Sequence, residues 1–163
     1  TVTEGKVFYK DKSIHNLKED ELADYRSKNV GIIFQSFNLL PSMTALENVN
    51  LPLEISGNFI DDEKGTKLLE SVGLGHRISH YPHELSGGEQ QRVAIARSLI
   101  SSPEILIADE PTGNLDKKNS KEVIELIFKL QKIHKSTLIL VTHDKSLADL
   151  CDQTIILDNG IIL

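Results

Sequence analysis

Read for hydrophobicity, the chain opens on a short extended stretch at 7–9, and a charge-rich segment at 17–28 has the spacing of a surface helix. Val30-Gly31-Ile32-Ile33-Phe34 follows as an apolar run that reads as a buried strand ending at Gln35. From 36 to 84 the pattern changes to loops and amphipathic helices. Thr44 is placed to cap a helix through Leu46 and Val49, and Asp61 to cap one through Leu68, Leu69 and Val72, because short oxygen-bearing side chains accept from the free N–H groups of a first turn. This stretch reads as a helical insertion. Beyond it the chain alternates: helix 88–100, strand 105–108, helix 117–135, strand 137–141, helix 145–150, strand 154–157. Such alternation predicts a parallel sheet covered by helices. The unbroken apolar runs at 105–108 and 138–141 predict strands buried on both faces. Pro103 and Asn159-Gly160 mark turns, and there is no internal repeat, low-complexity segment or long heptad run.

Composition narrows the class without naming a chemistry. The 163 residues, 39% hydrophobic, suffice for one domain or part of one. The formal charge is −6, and no stretch gathers enough Lys or Arg to follow a phosphate backbone, which argues against nucleic acid as a partner. The longest apolar runs fall far short of the ~20 residues of a membrane-spanning helix. Cys151 is the only cysteine, so no disulfide forms within the chain and a reduced setting is expected, with Cys151 itself a small apolar side chain.

Ligands of parallel sheets sit beyond the carboxyl ends of the strands, which singles out Gln35, Asp109, Glu110 and His143. Ile105-Leu106-Ile107-Ala108-Asp109-Glu110 delivers two adjacent carboxylates at a strand end, one able to reach a metal while its neighbour faces a water. Leu85-Ser86-Gly87-Gly88-Glu89-Gln90 runs directly into a helix, where free N–H groups and the helix dipole favour an anion and glycines permit its close approach. Alone, a glycine pair before a helix is more often a cap or turn. As a six-residue string followed at short distance by Asp109, it is far more specific.

On these motifs the chain, from about Gly5 to Gly160, resembles the nucleotide-binding domain of ABC transporters. The resemblance implies an α/β fold: the RecA-like parallel-sheet core of a P-loop NTPase, at 1–35 and 85–163, with a helical subdomain inserted at 36–84, the whole 1–163 being a partial domain that lacks its first strands and phosphate loop. It implies ATP and magnesium (Mg2+) as ligands. Gln35 matches the glutamine that senses magnesium and the attacking water. Ser86, Gly87, Gly88, Glu89 and Gln90 match the signature that contacts the γ-phosphate of ATP held by an opposing domain. Asp109 matches the aspartate that holds magnesium, and Glu110 the carboxylate that polarises water. Gly113-Asn114-Leu115-Asp116 matches the loop crossing the dimer interface, and His143 the histidine that contacts the γ-phosphate. Read singly, Gln35 could be a strand-end hydrogen bonder, Asp116 a helix cap and His143 a loop residue. His76, His80 and His83 have metal-like spacing, but Pro82 disfavours the helix that would align them, so surface histidines are expected.

The same resemblance implies partners: an integral membrane permease, and a second ABC ATPase domain closing head to tail around two ATP molecules, with the pair peripheral on the cytoplasmic face of the membrane. Residues 37–53 begin the segment that docks on the permease in this family, although their apolar side chains could equally be core. With Pro111-Thr112-Gly113-Asn114-Leu115-Asp116 they are similar to one subgroup, the ATPases of lipoprotein-releasing, macrolide-exporting and cell-division permeases.

The string Gly, four residues, Gly-Lys and then Ser or Thr is absent; the only Gly-Lys pair is Gly5-Lys6, followed by Val7. In the family, the stretch resembling Thr3-Glu4-Gly5-Lys6-Val7 lies shortly after that loop. We therefore expect an incomplete record of a longer protein, weak ATP binding by this stretch alone, and apolar surface left open where further strands would pack. Two rival readings are an ABC-type ATPase of chromosome maintenance, DNA repair or translation, and a non-catalytic, signature-donating domain. The 49 residues between Gln35 and Leu85 hold no coiled coil, against the chromosome-maintenance type; Glu110 and His143 argue against a retired domain. The transported substrate is not written in this chain.

Overall fold

The computed structural model describes residues 5–60 and 62–163. Two short strands, β1 (Phe8–Tyr9) and β2 (Lys12–Ser13), pair antiparallel. Helix α1 (Glu19–Asn29) begins with three acids and ends with Arg26 and Lys28, each charge opposing the pole of the helix dipole it sits on. It leads into β3 (Val30–Ile33), which lies parallel to β4 (Ile105–Asp109), itself parallel to β5 (Thr137–Val141).

Between β3 and β4 run α2 (Ala45–Ile55), α3 (Asp62–Ser71), two 3-10 turns at Gly75–Arg77 and Pro82–Glu84, and α4 (Gly87–Leu99). Thr44 caps α2 as expected, its Oγ1 accepting from Glu47 N–H while the Glu47 carboxylate accepts from Thr44 N–H at 2.7 Å. Asp61, the expected cap of α3, lies outside the described residues. Helix α5 (Lys117–His134) crosses from β4 to β5, capped by Asp116 and closed at Lys135, which adopts the left-handed conformation. A single turn, α6 (Lys145–Ala148), follows β5.

One apolar cluster holds these pieces together: Ile33 and Leu106 from the sheet, Val49 and Leu69 from α2 and α3, Ile95 and Leu99 from α4, Ile127 and Leu130 from α5. The register explains why it forms on one face only. Gly31, Leu106 and Leu138 share a row, as do Ile33, Ala108 and Leu140, and these rows face the helices. At Gly31 the sheet and α4 approach so closely that a Cβ would fall 2.1 Å from the carbonyl oxygen of Ser98.

Two expectations are corrected. The apolar strands are not buried on both faces: β4 and β5 alternate, with Ile139 and Val141 each 48% exposed, because no described element covers the second face. The strand expected at 154–157 does not join the parallel sheet. Instead β6 (Leu157–Asp158) pairs antiparallel with β7 (Ile161–Ile162). Asn159 and Gly160, both at positive φ, form the two-residue turn whose twist suits a hairpin.

Candidate functional site

Strand β4 ends in Asp109, whose carboxylate is exposed and accepts no hydrogen bond among the described residues. The next residue, Glu110, has φ +43, a left-handed conformation uncommon for a side chain of this size. The surrounding backbone holds it there. Glu110 N–H donates to the Val141 carbonyl at 3.0 Å, and the Glu110 carbonyl accepts from Gly113 N–H at 3.0 Å. The turn brings the carboxylate, only 23% exposed, to the loop after β5. There Oε1 accepts from His143 N–H at 2.9 Å and lies 2.7 Å from His143 Nδ1. Two residues 33 positions apart thus meet because β4 and β5 are neighbours in register.

Gln35 stands two residues past the end of β3, exposed, on the same side of the sheet. Its carbonyl accepts from Asn114 Nδ2 at 3.0 Å. Gly113 packs so tightly on its amide that a Cβ there would lie 2.4 Å from Gln35 Nε2. The loop after β4 therefore serves both Glu110 and Gln35.

Ser86 caps α4 in a reciprocal box: its Oγ accepts from Glu89 N–H, and Glu89 Oε2 accepts from Ser86 N–H at 2.8 Å. The backbone hydrogen bond from Ser86, together with its hydroxyl, holds the Glu89 carboxyl below the usual range, with Arg77 at 3.4 Å adding to the effect. Gln90 turns back to the Leu85 carbonyl at 3.1 Å. The N–H groups of Gly87 and Gly88 accordingly have no acceptor among the described residues. Gly88 lies against Asn119 of α5, where a Cβ would fall 2.8 Å from Oδ1. Gly87 faces Leu115 and Phe37.

Asp116 is a helix cap, accepting from Lys118 N–H at 2.9 Å and Asn119 N–H at 3.0 Å, and the Asn119 hydrogen bonds depress its pKa most. Of the three histidines, His76 and His83 occupy separate 3-10 turns and His80 stands between them, its Nε2 2.9 Å from the Arg77 guanidinium.

The motif reading passed over two side chains of α4. Arg97 donates to the carbonyls of Phe37 at 2.6 Å and Asn38 at 2.5 Å, both residues having positive φ, and burial pulls its pKa down. Gln91 is fully buried and donates to the Pro111 carbonyl at 2.7 Å. Both stand out in sequence only as polar groups among Val93, Ile95 and Leu99, a signal that does not say what they hold.

The sequence of residues 1–113 matches the family model described as ABC transporter. Over 98% of its length the chain is 48% identical to the lipoprotein-releasing system ATP-binding protein LolD of Cytophaga hutchinsonii, covering 74% of that protein. It is likewise 48% identical to the macrolide export ATP-binding/permease protein MacB of Bdellovibrio bacteriovorus, covering 24% of it. Among solved structures, it is similar to the dimeric ATP-binding cassette MJ0796 in a post-hydrolysis state bound to ADP and Pi, with a TM-score of 0.85 and 38% identity, over 98% of this chain and 72% of that one. With the clustered strand-end residues and these relatives together, the chain belongs to the ABC transporter family, as one of its ATP-binding domains.

Proposed function

We propose that Gln35, Asp109, Glu110 and His143 form part of the ATP-hydrolysing centre of a domain that powers a membrane permease. One observation carries this reading: at the carboxyl end of a parallel sheet, the Glu110 carboxylate is held by His143 through two contacts while Asp109 beside it stays open. Glu110 would draw a proton from the attacking water, and His143 fixes the carboxylate that does so. Asp109, an oxygen donor whose carboxylate has no partner among the described residues, suits magnesium, with Gln35, held against the loop after β4, as the second group. When bound, that ion would neutralise charge developing on the phosphate oxygens.

The free N–H groups of Gly87 and Gly88, beside the Ser86 hydroxyl, suit the γ-phosphate of ATP held by a second domain of the same kind. MJ0796, which the chain resembles, is dimeric. We read 36–84 as a helical subdomain that meets the permease. Exposed Ile55, with Phe34, Leu51 and Pro52, lines a groove beside Arg97 and Asn38 that suits such a contact. No helix of the described residues is long and apolar enough to cross a membrane; attachment to the cytoplasmic face would come through the permease. LolD and MacB point to lipoprotein release and macrolide export as the transport classes to test first.

The test is Glu110→Gln in the full-length protein with its permease. Turnover should fall by a factor of about 100 or more, with ATP still bound. Turnover at the wild-type rate would remove Glu110 from the chemistry and overturn this reading.

A further inference from the structure

We propose that Gln91 is a positioning residue of the hydrolytic centre, anchoring the backbone that aims Glu110; the inference rests on the reading of Glu110 given above.

Gln91 lies one turn inside α4, the helix whose first residues are Gly87 and Gly88, and its side chain is fully buried. It uses that burial in an unusual way. Nε2 donates to the Pro111 carbonyl at 2.7 Å, while Oε1 is buried with no hydrogen-bond partner among the described residues. A buried amide with one unmet oxygen is a poor way to fill space, since an apolar side chain of equal volume would leave nothing unpaired. What the amide accomplishes is specific to its donor.

Pro111 directly follows Glu110, has no N–H of its own and is itself buried. The left-handed turn at Glu110 is therefore held by three hydrogen bonds: Glu110 N–H to Val141, Gly113 N–H to the Glu110 carbonyl, and Gln91 to Pro111. The first two tie the turn to the sheet and to its own loop. Only the third ties it to α4. Without that donor, the Pro111 carbonyl is left buried and unpaired, and the peptide relieves this by rotating. Rotation there carries the Glu110 carboxylate away from His143. The same bond makes the Gly87 end of α4 and the Glu110 turn move as one body.

The experiment compares Gln91→Met and Gln91→Glu in the full-length protein, with Glu110→Gln as reference. Met keeps length and volume, and removes the donor and the orphan oxygen together; Glu keeps the shape and sets a carboxylate against the Pro111 carbonyl. We expect kcat to fall on the order of tenfold, KM for ATP to stay within about twofold, and the unfolding temperature of the Met variant to match the wild type. Combined with Glu110→Asp, the Met substitution should cost less than the product of the single losses, because both act on one carboxylate. Wild-type kcat in both Gln91 variants overturns the inference, as does independent multiplication with Glu110→Asp. Early unfolding of both variants also overturns it, making Gln91 a packing group. If Glu110→Gln itself turns over normally, the underlying reading of Glu110 has failed instead.

Discussion

A glycine can act on chemistry through the side chain it makes room for, and under the role proposed for Gln35, Gly113 is such a case. Its φ is not positive, so an alanine there meets no backbone penalty. The added Cβ would instead fall 2.4 Å from Gln35 Nε2, the free end of an exposed side chain. Gln35 has space to swing outward, so the fold should tolerate Gly113→Ala with a change of roughly 0.5 kcal/mol or less, as for surface substitutions generally. The glutamine amide, however, would leave the place that Gly113 and Asn114 define. We expect kcat to drop on the order of tenfold in the full-length protein with an unchanged unfolding midpoint, read by steady-state hydrolysis beside chemical denaturation. Unaltered turnover would mean that the position of Gln35 does not matter to the reaction.

Among the elements, β3 and α4 are the pair on which the proposed site depends, because one delivers Gln35 and the other the Gly87 terminus. Their separation is set at Gly31, where a Cβ would collide with the Ser98 carbonyl at 2.1 Å, and with Pro103 at 3.0 Å. The obstacle is backbone, so no side chain can yield. Gly31→Ala should destabilise the fold by about 3 kcal/mol or more, at the upper end of overpacking effects, seen as a lower denaturation midpoint or loss of soluble protein. A wild-type midpoint would show that the helix can move off the sheet at little cost. In sequence, Gly31 reads only as a weak point in an apolar strand. The clash that explains it comes from residues 98 and 103, brought near by the crossover. The same limit applies elsewhere. Thr44 announces its helix start because an N-cap is local, and the strand ends at Asp109 and Val141 are legible from apolar runs. The turn at Asn159-Gly160 was legible too, but not that it closes a separate hairpin. Gln91 and Arg97 hold loops that are 20 and about 60 positions away, so nothing in their neighbourhood discloses their partners.

At the scale of the whole molecule, the sheet has, among the described residues, one closed face and one open face, and this governs how the 163 residues behave by themselves. The closed face carries Leu106 and Ala108, fully buried under α4 and α5. The open one carries Val30, Ile32, Ile105 and Ile107, half-buried, and then Ile139 and Val141 on β5, each 48% exposed. Further exposed apolar side chains follow in the hairpin region: Ile155, Ile156, Leu157, Ile161 and Ile162. Exposed apolar surface of this kind calls for a cover, and among the described residues β5 is also a sheet edge, the kind of strand that another strand can join. A polypeptide limited to these 163 residues should therefore bind a hydrophobic fluorescent dye and elute above monomer size. Ile139→Thr with Val141→Thr keeps β-branched residues suited to a strand while removing apolar surface. It should lower dye binding and favour the monomer without altering far-ultraviolet circular dichroism. In a longer chain that covers this face, the same pair of changes should act in the opposite direction, lowering stability by roughly 1–3 kcal/mol for each side chain that is then buried. The sign reversal is the discriminating result. If the short polypeptide is monomeric and silent to the dye, its own residues close the face. If the pair is neutral in the longer chain, β5 stays open there too.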